Sequence, residues 1–296
     1  MSELPDNPIS ATVDFDRDGV QHGFLKLPYS RDDSAWGAVM IPVSVIKRGA
    51  GPTALLTGGN HGDEYEGPVA LSKLTQQLSA QEVNGRVIII PFMNTPAFHA
   101  GSRTSPIDRG NLNRSFPGKP DGTVTEKIAD YFRRTLLPLA DIVLDIHSGG
   151  RTLDFLPFAA CHVLPDKQQQ ARCEAGMQAF NAPYSMRMLE LDAAAMYDTA
   201  AEQQGKGQHG DGGGDGKPVA HQPTLAEGVA GAQNRDQLAI AVGHLDRATL
   251  DQVEALQGLA HLVDAIAGEI FPAAEGGGDT RHLVPRQAVI GMHGFE

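Results

Sequence analysis

The sequence predicts an α/β fold, because up to about residue 204 short runs of β-branched residues alternate with helical patterns. From Ala38 to Ile46 the apolar residues Val39, Ile41, Val43 and Val45 alternate as in a half-buried strand, and Thr53 to Thr57 is a second short run ending at Gly58-Gly59. Arg86 to Met93 contains Val87-Ile88-Ile89-Ile90, and Asp141 to Ile146 reads Asp-Ile-Val-Leu-Asp-Ile. Continuous runs of this kind suit strands covered on both faces. Between them, Pro68 to Leu78 places Val69, Leu71, Leu74 and Leu78 at helical spacing, and Thr125 to Leu139 carries Ile128, Phe132, Leu136 and Leu137. A helix near Asp166 to Phe180 and a strand near Met186 to Leu191 continue the alternation, with Met186, Met188 and Leu189 read as core. Strands separated by helices imply crossover connections.

The chain divides into residues 1–204 and residues 205–296. Beyond Gln204 the character changes: glycines crowd among Asp, Lys and His from Gly205 to Gly216, the composition of a linker or disordered segment. The single helical pattern after it runs from about Asp246 to Ile270, with Leu250, Val253, Leu256, Leu259, Val263, Ile266 and Ile270 on one stripe. Such a face packs either within the chain or against a second copy, so a homo-oligomer is one expectation.

The composition excludes some partners. At 296 residues and 41% hydrophobic content the chain can bury a large core. A formal charge of -12 argues against nucleic acid and against an acidic membrane surface, since both are polyanions that need clustered Lys and Arg. A small soluble substrate is expected instead. Cys161 and Cys173 lack the close pairs of a zinc ribbon and are read as free thiols in a reducing compartment. Met1 to Asp16 holds acids and prolines where a leader needs a basic start and an apolar run, and no stretch approaches the roughly 18 apolar residues of a membrane helix, so the expectation is a cytoplasmic protein.

Ligands of α/β sheets sit outside the carboxyl ends of the strands, and the chemistry of this sequence gathers there. The run Thr53 to Thr57 leads into Gly58-Gly59-Asn60-His61-Gly62-Asp63-Glu64, where His61 and Glu64 can reach one cation from a tight turn. The run Asp141 to Ile146 ends directly at His147-Ser148-Gly149-Gly150. Two imidazoles and one carboxylate, with a fourth position left for water, are the ligand set of a hydrolytic zinc site. The bland alternative makes His61 a surface loop residue and His147 a strand cap; glycines beside both histidines, which allow close backbone approach, weigh against it. A long polar loop, Gly101 to Gly118, follows the third strand and carries Arg103, Arg109 and Arg114, which either bind a substrate carboxylate or are simply solvated. The remaining histidines lack ligand spacing, and Glu190 and Asp192 are weaker pocket candidates.

With His61-x-x-Glu64, Asn113-Arg114 and His147 closing a strand, the sequence resembles the succinylglutamate desuccinylase and aspartoacylase branch of the zinc carboxypeptidase superfamily, over roughly residues 20 to 204. The resemblance implies a zinc-carboxypeptidase-like mixed sheet flanked by helices, followed here by an atypical C-terminal third. It implies one Zn2+ held by His61, Glu64 and His147, Asn113 and Arg114 on the substrate α-carboxylate, and Arg103 on the scissile carbonyl. The implied reaction is hydrolysis of the amide of a small N-acyl amino acid, more narrowly deacetylation of N-alpha-acetyl-L-2,4-diaminobutyrate in ectoine degradation. A desuccinylase or carboxypeptidase is the alternative within the superfamily.

One feature of the resemblance breaks off. The family's general-base glutamate is expected in a Thr-Glu-Leu-Gly type strand about six residues beyond Lys206, where this chain reads Gly207-Gln208-His209-Gly210-Asp211-Gly212-Gly213-Gly214. The expectation is therefore that the last third is out of frame or foreign, with Asp211 and Glu227 read as linker or surface acids. A zinc-binding protein without turnover is the competing function.

Overall fold

The computed structural model describes residues 5–153, 157–189, 195–204 and 238–242. Among them a nine-stranded mixed sheet is flanked by helices on both faces, as the sequence predicts. Its strands are β1 (Ser10–Ala11), β2 (Gly19–Pro28), β3 (Ala38–Arg48), β4 (Thr53–Gly58), β5 (Gly85–Ile90), β6 (Ile142–Ile146), β7 (Phe158–His162), β8 (Tyr184–Met188) and β9 (Leu238–Val242). Its helices are α1 (Glu66–Gln77), α2 (Thr95–Ala100), α3 (Val124–Tyr131), α4 (Lys167–Phe180) and α5 (Tyr197–Gln204).

The spatial order is β1-β2-β3-β5-β4-β6-β9-β7-β8. The β1, β2, β3 and β5 neighbours pair antiparallel, whereas β5, β4, β6 and β9 run parallel. The parallel strands are apolar without interruption because both of their faces are covered. Leu55, Ile88 and Val143 point into one core with Ile128, Phe132 and Tyr197. Their neighbours Leu56, Ile89 and Leu144 point into the other, with Leu71, Leu74, Cys173 and Met177 from α1 and α4. Both cysteines are buried in this second core.

Three sequence expectations are corrected. Val69 is 38% exposed, and α1 instead buries Gly67, Ala70, Leu71 and Leu74. The small residues bring the helix close to β6: a Cβ on Gly67 would stand 2.8 Å from the Ile146 carbonyl oxygen. Met186 and Leu189 are exposed rather than core, because β8 is an edge strand whose residues face outward. The pattern from Thr125 to Leu139 is not one helix: α3 is capped by Thr123 and Glu126 in a capping box, and a π turn over Phe132–Leu136 and a 3-10 turn over Leu137–Leu139 follow it. Pro138 explains the final tightening, since it cannot donate to an α-helical ladder.

The strand β9 is an element the sequence did not signal. It lies between β6 and β7, parallel to β6 with Val242 opposite Ile146, and antiparallel to β7. Five apolar residues within a polar surround are too short a run to separate from loop by pattern. The Gly-rich stretch from Gly205, the stripe from Asp246 to Ile270, and Glu190, Asp192, Asp211 and Glu227 lie outside the described residues. No helix of the described residues is long and apolar enough to cross a membrane.

Phe132 sets the scale of the first core. It is fully buried and meets the Tyr197 ring edge-on at 5.8 Å, tying the π turn to α5. Phe132→Ala is expected to lower unfolding free energy by about 3–5 kcal/mol in urea titration, the cost of a large buried ring plus the void it leaves. A loss below about 1 kcal/mol would show that the site collapses freely around the missing ring.

Candidate metal centre

The carboxyl ends of β4 and β6 lie side by side, with Gly58 opposite Ile146. The turn after β4 therefore brings His61 and Glu64 against His147, the residue that follows β6. His61 and Glu64 are 2% and 4% exposed, and His147 is half-buried. Glu64 Oε1 is 2.7 Å from His61 Nδ1, and Oε2 is 2.8 Å from His147 Nδ1. One donor atom from each of the three lies within 4.8 Å of the others, the spacing a single metal ion needs.

Each imidazole is also held from behind. His147 Nε2 is 2.8 Å from Asp145 Oδ2, and His61 Nε2 is 3.2 Å from Asn111 Oδ1. An acceptor at Nε2 can hold a proton there, so Nδ1, the atom on the Glu64 side, is the one that could give its lone pair to a metal ion. Asp145 is itself anchored by Thr57 Oγ1 at 2.8 Å and Asn60 Nδ2 at 3.1 Å.

The electrostatics follow from these contacts. Burial pushes the Glu64 carboxyl up, but hydrogen bonds from His147 and then His61 outweigh it and hold the group well below its ordinary range. Burial disfavours charge on His147, while Asp145 and Glu64 outweigh burial and raise its pKa well above the imidazole value. Ser148 N adds a 3.2 Å hydrogen bond to Glu64 Oε2, and the Ser148 hydroxyl donates to Glu66.

The loop residues divide. Arg103 Nη1 reaches Glu64 Oε1 at 3.3 Å, with its side chain 55% exposed, so it stands at the mouth of the centre. Asn113 is buried, and its Oδ1 accepts from Tyr197 N at 3.0 Å, which seats the start of α5 on the loop. Arg114 is exposed and its Nη1 donates to the Asn113 carbonyl at 2.7 Å. Arg109 is exposed in the left-handed region at φ 59°.

The model of the succinylglutamate desuccinylase/aspartoacylase catalytic domain matches residues 50–208, more than half of the chain and including every residue named at this centre. The chain belongs to the succinylglutamate desuccinylase/aspartoacylase family. Over 200 residues it is 72% identical to the N-alpha-acetyl-L-2,4-diaminobutyric acid deacetylase of Halomonas elongata, covering 68% of this chain and 58% of that protein. The chain thus spans less than two thirds of this curated relative. A succinylglutamate desuccinylase structure from Silicibacter sp. TM1040 is similar with a TM-score of 0.76 and 53% identity, over 89% of this chain and 72% of that one. A product-bound structure of the ectoine utilization protein EutE (DoeB) from Ruegeria pomeroyi is similar with a TM-score of 0.74 and 56% identity, over 89% and 72% of the two chains.

Four residues that brace the centre and its loop escaped the sequence reading: Asp145, Asn60, Asn111 and Tyr197. Asp145 carried a usable signal, because it is a charged residue inside a buried run and lies two positions before His147, on the same face of the strand. Asn111 and Tyr197 carried none, since loop closure and helix docking bring them in.

Proposed function

We propose that this chain is a zinc-dependent amidohydrolase that removes the acetyl group from N-acetyl-2,4-diaminobutyrate. The observation that carries the proposal is the His61–Glu64–His147 cluster with its backing acceptors, taken with the name of the 72% identical relative. The donor set fits zinc: two imidazole nitrogens and one carboxylate, with Asp145 and Asn111 orienting the rings. A zinc ion held there supplies Lewis acidity and lowers the pKa of water.

The chain's own residues do the rest. Arg103, mobile enough at 55% exposure to leave Glu64 for a ligand, is the cation placed to stabilise charge developing on the amide oxygen. Arg114 and the amide NH2 of Asn113 take the α-carboxylate, since Asn113 Oδ1 is already occupied by Tyr197 N. Glu64 keeps its negative charge through the reaction because Arg103 Nη1 and Ser148 N donate to it. The buried cysteines and the acidic chain fit a cytoplasmic enzyme acting on a small soluble molecule.

A second reading, a zinc protein without turnover, is favoured by the sequence Gly207 to Gly214, which holds no glutamate where the family's base is expected. One experiment separates the two. Purified protein is expected to hold one zinc per chain by elemental analysis and to release acetate from N-acetyl-2,4-diaminobutyrate. Zinc without acetate would establish the second reading, and absence of zinc would overturn both.

A further inference from the structure

The acids around the centre are spent on their neighbours, with one exception. Glu64 is ringed by His61, Arg103, His147 and Ser148 N, and Asp145 by His147, Asn60 and Thr57. Glu66 accepts from the Ser148 hydroxyl, and Asp108 from Thr125 and Gly110 N. Asp198 accepts from Thr199 N and faces His162.

Asp63 is the exception. It is half-buried, its Oδ1 is buried without a hydrogen-bond partner, and among the described residues neither of its oxygens has an ion-pair partner. A buried oxygen without a donor costs stability and calls for a reason. The nearby cations are directed elsewhere: Arg103 reaches Glu64, and the Arg151 guanidinium lies against Gly101, with Nη2 2.8 Å from where a Cβ on that glycine would stand.

Two observations tie Asp63 to the metal centre. It follows His61 by two residues and precedes Glu64 by one, and consecutive Cα atoms are only about 3.8 Å apart. Its Oδ2 stands 2.6 Å from where a Cβ on Gly150 would lie, and Gly150, at φ 60°, is three residues past His147. Asp63 therefore lies where the turn bearing His61 and Glu64 meets the turn that follows His147. The negative charge it brings there is balanced by no donor or cation of the described residues. Such a charge needs no contact to act: across roughly 8 Å of partly buried surroundings, one charge changes the affinity for another by about 10-fold.

We propose that Asp63 is a specificity-determining charge filter, which disfavours ligands with a second carboxylate and favours those with a free side-chain ammonium. The inference rests on the substrate reading above, since N-acetyl-2,4-diaminobutyrate carries such an ammonium, whereas a succinyl group brings a further carboxylate. It separates two jobs by charge: Arg114 and Asn113 hold the one carboxylate every amino acid has, and Asp63 sorts ligands by what else they carry.

The test uses the zinc-loaded full chain and three amino acids that undergo no turnover: 2,4-diaminobutyrate, 2-aminobutyrate and aspartate, whose side chains are cationic, neutral and anionic. By calorimetric titration the unmodified protein is expected to bind them in that order of affinity. In Asp63→Asn the preference for diaminobutyrate over aspartate is expected to narrow by about 100-fold, which is about 10-fold for each of the two units of charge that separate them. Asp63→Ser should narrow it equally, because both variants remove the charge and only one keeps the shape. Zinc content, measured on the same preparations, is expected to stay at one per chain. A preference unchanged in both variants, or a loss of zinc in both, would overturn the filter; the second outcome would make Asp63 a support of the ligand turn. Either leaves the deacetylase reading standing if the unmodified protein releases acetate. Binding of none of the three amino acids, together with no acetate release, would overturn the substrate reading and this inference with it.

Discussion

Glu64→Gln is expected to strip the centre of zinc, lowering affinity by more than about 100-fold, because even the outer partners of metal ligands are worth 10- to 100-fold. Glu64 is 4% exposed and accepts from four donors: His61 Nδ1 and Arg103 Nη1 at Oε1, His147 Nδ1 and Ser148 N at Oε2. A glutamine keeps the shape but turns one of those acceptors into an NH2 group, so a donor is driven against donors in a buried space. The unpaired group costs about 1–3 kcal/mol, and the anion that balances a divalent cation is gone. Elemental analysis of the purified variant measures the loss, and acetate release should vanish in parallel. A variant that retains one zinc per chain would show that the two imidazoles suffice, and would remove Glu64 from the ligand set.

What could be read from the sequence and what could not follows from range. The runs at Thr53, Arg86 and Asp141 became β4, β5 and β6 because a strand buried on both faces must be apolar at every position. His61, Glu64 and His147 were legible for a related reason: they are polar residues at the ends of such runs, where only a ligand or a solvent-exposed turn accommodates them. The helix α5 was illegible, since its ladder of Thr199, Ala200 and Ala201 is buried by contact with β9, β6 and the turns at Leu112–Arg114 and Leu137–Leu139 rather than by a strong stripe of its own. β2 was missed because His22, Gly23 and the buried Gln21 interrupt its alternation. Gln21 is buried there because its amide bonds both Asp14 N and the Asp14 carbonyl, closing the loop before β2, a tertiary fact with no local signature. Asp145 falls between these cases, visible as an anomaly in β6 and intelligible only once His147 is seen beside it.

The glycine between His61 and Glu64 is expected to be as intolerant of change as those two residues themselves. A Cβ built on Gly62 would stand 1.9 Å from the Ala97 carbonyl carbon, 2.1 Å from its oxygen and 2.3 Å from Phe98 N. These are backbone atoms of α2, which cannot swing aside as the end of a side chain could. The turn is further seated by Gly62 N donating to Ser102 O at 3.0 Å, at the start of the loop that carries Arg103. Gly62→Ala must therefore part the turn from α2 by an ångström or more, and His61 and Glu64 move with it, one residue and two residues away. Overpacking of this kind costs about 1–3 kcal/mol or more in stability. The site suffers further, because a metal site tolerates little displacement of its ligands. The expected result is a lowered unfolding midpoint together with substoichiometric zinc, measured on the same preparation. A variant with the parent's midpoint and a full zinc complement would mean that α2 yields to the methyl group, and that His61 and Glu64 hold their geometry without the close seat that glycine provides.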